Sequence, residues 1–87
     1  MNGFRLLNRA TAKLAVQLEP WAAIYYLRHQ EEITFEHPQD QQGYYLAVVW
    51  DAESIQVFAE GGFDTYPLVR INGQVVEPFN DFDVAQT

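Results

Sequence analysis

Between Phe4 and Leu18 the apolar residues Phe4, Leu7, Leu14 and Leu18 fall at i, i+3, i+10 and i+14, with Ala10 and Ala15 alongside. That spacing lines one face of a helix. Asn2 stands where a capping residue belongs, Arg5, Arg9 and Lys13 recur every four residues on a neighbouring face, and Pro20 disfavours helical geometry at Glu19. The pattern predicts a helix over residues 3–18 that carries a basic stripe.

Residues 20–30 hold two patterns at once. Pro20 at a first helical position, with Trp21, Ile24 and Arg28 on one face, argues for a second helix, whereas Ile24, Tyr25, Tyr26 and Leu27 argue for a buried strand. No turn chemistry separates Leu27 from the next β-run, which favours the strand. From Glu32 the rhythm is clearer: Ile33, Phe35 and His37 alternate with Thr34 and Glu36. The polar connection at 38–43 then leads into the apolar run 44–50, which reads as a hairpin. Residues 44–59 have the densest β-branched and aromatic content in the chain, so the two runs flanking Asp51 to Ser54 are expected to be the central pair of strands. The last hairpin turns at Asn72-Gly73, the dipeptide best suited to a two-residue type I′ turn, and Pro78 ends the pairing.

The predicted fold is mainly β with an N-terminal α-helix: a small five- to six-stranded antiparallel barrel, its open end capped by the helix. One domain is expected over residues 1–87, made of helix 3–18, barrel 22–78 and an acidic tail 79–87. This order of elements resembles the Sm-like (SH3-type) small barrels. The run 46–57 is similar to the first Sm motif, an apolar strand ending in an aromatic-Asp pair, here Trp50-Asp51, with Ser54 near the motif's Asn. The run 68–76 is similar to the second motif, although Ile71 and Asn72 separate Arg70 from Gly73. The resemblance implies an RNA-binding ring pore lined by Asp51, Arg70 and Asn72, with Arg5, Arg9 and Lys13 touching phosphate.

Charge changes that picture. Of five basic residues, Arg5, Arg9 and Lys13 precede every acid, and the twelve acids face only Arg28 and Arg70 in the remainder, which therefore sits at 2 − 12 = −10. Such a body repels a phosphate backbone and suits a basic partner or simple solubility. The expected partner is another protein or a second copy, and nucleic acid is not expected. No apolar run exceeds residues 21–27, far short of the roughly 20 residues that span a bilayer, so no membrane partner is expected either. The sequence has no cysteine and no continuous apolar signal core, the basis for expecting a cytoplasmic protein.

Candidate chemistry is sparse. Ser54 is the only serine, and a triad would have to draw on His29 or His37 with no nucleophile-elbow spacing. The carboxylate pairs Glu31/Glu32, Asp51/Glu53 and Asp81/Asp83 fall near loops or a terminus, where a solvated acidic face is the ordinary outcome. His37 with Asp40, or His29 with Glu31, supplies two metal ligands at most. The expectation is no catalytic residue, no metal and no cofactor. The aromatic residues say more. In a strand, neighbours face opposite sides, so one member of each pair Tyr25-Tyr26 and Tyr44-Tyr45 must leave the core. With Phe79 and Phe82, and with few charges along residues 44–49, they form the expected contact surface. The functional expectation is a non-catalytic acidic protein acting through protein contacts and self-association. A divergent Sm-like RNA-binding protein and an acidic nucleic-acid mimic that occupies a basic site are the alternatives.

Overall fold

The computed structural model describes residues 2–51 and 53–80. Every regular element among them is a strand: β1 Asn2–Leu7, β2 Leu14–Glu19, β3 Ala23–Leu27, β4 Glu32–His37, β5 Gly43–Asp51, β6 Ser54–Gly61, β7 Leu68–Ile71 and β8 Gln74–Val75. The predicted N-terminal helix is absent, its span divided between β1 and β2. Its apolar residues obey a period of two, with Val16 and Leu18 buried in β2 and Phe4 and Leu6 packed on the core from β1.

Asn8 fixes the break between them. Its backbone N–H donates to Glu31 and its carbonyl accepts from Gln30, at 3.0 and 2.7 Å. Its side chain, 2% exposed, bonds four more backbone groups. Nδ2 donates to the carbonyls of Ala12, Leu27 and Arg28 at 3.0, 3.0 and 3.1 Å, and Oδ1 accepts from the Ala10 N–H at 3.0 Å. Three acceptors for two N–H groups require one of them to be shared. An asparagine that satisfies backbone groups from its side chain offers the chain an alternative to the helix, and here that alternative prevails.

The strands form two open sheets, ordered β1-β4-β7-β8 and β3-β2-β6-β5, rather than a closed barrel. The expected β4–β5 hairpin is not made. Both edges of β4 are taken, by β1 and by β7, so the 38–42 connection carries the chain across to the other sheet. The β5–β6 hairpin is made, but β5 lies at the edge of its sheet and not at the centre. One pair departs from the antiparallel expectation: β2 runs parallel to β6. Residues 20–30 resolve as the strand β3, and β7–β8 turns at Asn72-Gly73 with φ of 50° and 83°, as a type I′ turn requires.

The inner faces meet in one core of Val16, Leu18, Tyr25 and Leu27 from β2 and β3, Ile33 and Phe35 from β4, Val57 from β6, and Val69 and Ile71 from β7, with Ala23 beside them. Each such large side chain removed from water contributes about 1.5–3 kcal/mol. No helix among the described residues is long and apolar enough to cross a membrane.

Candidate functional site

Four strands bound the two sheets, and they differ sharply. β8 is only two residues long. β1 carries Arg5 at its middle, a charge that discourages another strand from docking. β3 is covered: the Phe79 N–H donates to the Ile24 carbonyl at 2.6 Å, and the Asn80 side chain bonds both backbone groups of Tyr26. β5 has none of these protections. Its backbone pairs with β6 on one side, and no backbone hydrogen bond among the described residues lies on the other.

The side chains of β5 add to this. At its start Tyr45 points inward and packs on Phe4 and Phe35, with ring centroids 5.5 and 6.0 Å away. Beyond that point the opposite sheet no longer covers the strand. Leu46 and Val48 on the outer face are about half exposed, and Val49 on the inner face is 70% exposed. Trp50, 71% exposed, sits at a bulge in the β5–β6 register and walls an open cleft of about 290 Å³ together with Gln17, Ile24 and Gln56. From Gly43 to Trp50 the strand carries no charge, and Asp51 ends it. Asp51 Oδ1 accepts from the Glu53 N–H at 2.8 Å and from the Ser54 hydroxyl at 3.1 Å, which closes the loop to β6.

Where β5 enters the core, the polar groups are fully engaged. His37 is 4% exposed, stacked on Phe63 at 3.8 Å and 7°. Its Nε2–H donates to the Thr65 carbonyl at 2.9 Å, and its Nδ1 accepts from the Tyr45 hydroxyl at 2.6 Å, an assignment that fixes the neutral Nε2–H tautomer. Burial holds the imidazole pKa below its ordinary value, partly offset by the Thr65 carbonyl. Burial likewise raises the pKa of Tyr45, and that of Tyr25, whose hydroxyl also bonds Tyr66. Gly43 makes room for this cluster, because a Cβ there would lie 2.9 Å from the Phe63 ring and collide with the Glu60 carbonyl.

The aromatic residues expected to form a contact surface divide. Tyr25 is fully buried and Tyr45 is part of the His37 cluster, so neither can meet a partner. Tyr26 is half-buried beneath the Lys13 ammonium, 5.0 Å from the ring centroid. Tyr44 and Phe79 are 56% and 63% exposed, and Phe82 lies outside the described residues, as do Asp81 and Asp83. Sequence reasoning counted the low charge of residues 44–49 toward this surface but named none of Leu46, Val48, Val49 and Trp50 as contacts, because an unbroken apolar run reads equally as a strand buried on both faces.

The residues expected at an RNA pore do not converge. Arg5 and Arg70 flank Thr34 on the outer face of the first sheet, where Arg70 pairs with Glu36. Asn72 occupies the β7–β8 turn, extending the ladder by donating its N–H to Glu32 at 2.9 Å and accepting the Glu32 N–H at 3.0 Å. Asp51 belongs to the other sheet, and Arg9 and Lys13 lie in the loop between β1 and β2, so the basic stripe has no helix to carry it. Ser54 bonds Asp51, while His29 bonds the Ala10 carbonyl at 2.8 Å, and no group of three or more His, Asp or Glu among the described residues could hold a metal ion. Compared with protein-family models, curated proteins and solved structures, the chain matches none.

Proposed function

We propose that this is a non-catalytic protein that works by protein contact, and that it associates with itself through β5. The observation that carries the reading is the edge of β5, uncharged, exposed and unpaired among the described residues, beside three other sheet edges that are short, charged or covered. An edge of that kind presents free N–H and C=O groups to any strand that can align with it, and the apolar side chains on both faces add buried area once it does. The chain's net charge of −7 opposes association in general, so the contact belongs where charge is missing.

Light scattering across a concentration series tests this. The mass should rise above the 10.1 kDa of one chain, and Val48→Lys, which puts a charge in the middle of the open edge, should hold it at one chain. A wild-type protein that stays at one chain at high concentration would remove self-association from the reading.

A further inference from the structure

We infer that the assembly closes at two copies, with β5 of one chain antiparallel to β5 of the other across a two-fold axis at Ala47, and with Asn80 as the device that stops growth. This rests on the reading of β5 as a self-association edge and adds its symmetry and its limit.

The limit comes from the far edge of the same sheet. In an antiparallel edge strand alternate residues direct their N–H and C=O outward, and on β3 these are Ile24 and Tyr26. Phe79 takes the Ile24 carbonyl. Asn80 imitates a peptide group: its Oδ1 accepts from the Tyr26 N–H at 2.8 Å, and its Nδ2 donates to the Tyr26 carbonyl at 3.2 Å. β3 is five residues long, so these contacts occupy three of the four outward backbone groups at its two outward positions. With both β3 and β5 open, copies could add head to tail, β5 onto β3, and such a contact does not close. With β3 sealed, the sheet has one usable edge, and the arrangement that uses it fully is an isologous pair with an eight-stranded sheet.

The register follows from charge. Within the uncharged part of β5 the side chains run from Tyr44 to Trp50, Gly43 having none, and their midpoint is Ala47. An antiparallel pairing centred there sets Leu46 against Val48 and Tyr44 against Trp50, and it places Asp51 opposite the other chain's Gly43. A parallel pairing in register would set the two Asp51 carboxylates side by side, adding local repulsion to that of two chains of −7 each.

The chain lacks cysteine, so cross-linking can read the symmetry directly. Under mild oxidation Ala47→Cys should link to its own copy, because directly opposed residues lie within disulfide reach. Val49→Cys, on the same face, should not: its two copies would be four residues apart along the strands, about 14 Å, beyond the roughly 7 Å a disulfide tolerates. Light scattering of the wild type should plateau at twice 10.1 kDa. Asn80→Ala, checked for a wild-type circular dichroism spectrum, should instead grow past two copies as concentration rises, and adding Val48→Lys should return it to one or two chains. A wild-type plateau above two copies, Val49→Cys linking as fast as Ala47→Cys, or a folded Asn80→Ala that stops at two would each overturn the inference while leaving self-association intact. A wild-type monomer would overturn both. The cross-linking arm leaves Asn80 untouched, so it decides the symmetry even if Asn80→Ala does not fold.

Discussion

β4 and β5 both carry β-branched and aromatic residues, yet one is sealed and the other open. In β4 the side chains of Ile33, Phe35 and His37 are buried and both strand edges are hydrogen bonded, to β1 and β7. β5 has the longer and more apolar run, but among the described residues one edge is bare, and beyond Tyr45 neither face is covered. The contrast shows that apolar density does not place a strand at the centre of a sheet. Position depends on which neighbours the chain connections deliver, and the connections here deliver two to β4 and one to β5.

The largest expected effect tests that contrast directly. Phe35 is completely buried and lies among the rings of Phe4, Tyr25 and Tyr45 at 6.0, 6.1 and 6.0 Å between centroids, so Phe35→Ala should cost about 3–5 kcal/mol. Leu46→Ala on the open face of β5 should cost less than about 1 kcal/mol, within the range of surface substitutions. Urea unfolding at low protein concentration, where association contributes little, measures both. Equal losses would mean that β5 is covered and would end its candidacy as a contact surface.

The strands were legible where a period of two ran between turn residues, as in β4, or where Asn72-Gly73 set the turn between β7 and β8. The first third of the chain was not, because Phe4, Leu7, Leu14 and Leu18 fit a helical period while Phe4, Leu6, Leu14, Val16 and Leu18 fit an extended one. What decides between them is Asn8, whose partners at Leu27 and Arg28 are distant in sequence and leave no local trace. The same limit applied to the contact surface. Adjacent tyrosines had to part, but which of Tyr44 and Tyr45 entered the core depended on the phase of β5 against the opposite sheet. Sheet membership was hidden too: the polar 38–43 connection suits a hairpin or a crossing between sheets, and only the prior claims of β1 and β7 on β4 exclude the hairpin. Asn80 gave no signal at all, since its work is done 54 positions earlier in the chain at Tyr26.

A smaller effect sharpens the account of that first third. Asn8→Ala strips partners from four backbone groups at once, and some of the loss is recovered by water reaching the loop, so about 2–3 kcal/mol should go. Asn8→Asp should cost more than the alanine change despite its closer shape, because a carboxylate cannot donate and would face the carbonyl oxygens of Ala12, Leu27 and Arg28. The comparison by thermal or urea unfolding separates a hydrogen-bonding role from mere space filling. An aspartate variant as stable as wild type would show that the donated bonds contribute nothing.

The smallest effect concerns pH, and it belongs to the sealed region alone. His37 has a folded pKa below its ordinary 6.5, so the unfolded chain takes up a proton first as pH falls. Stability from this group is therefore complete above pH 6.5, declines as pH drops through 6.5, and levels off once the folded protein protonates as well. Geometry gives the same sign: a proton on Nδ1 turns the acceptor of the Tyr45 hydroxyl into a donor, and that buried hydroxyl must find another acceptor. At the alkaline end Tyr25 and Tyr45 act in the opposite sense, with folded pKa values above the ordinary 10.0, so stability falls as pH rises past 10 and the unfolded tyrosines ionise. His37→Gln keeps a donor for Thr65 and an acceptor for Tyr45 but cannot titrate. Its unfolding midpoint, compared with wild type at pH 7.5, 6.5 and 5.5, should lack the wild-type decline, and parallel declines in both proteins would remove His37 as the cause. Between Gly43 and Trp50 β5 holds no carboxylate, histidine, lysine or arginine, so the dimer should form equally at pH 7.5 and 6.5 while the fold beneath it is already less stable at the lower value.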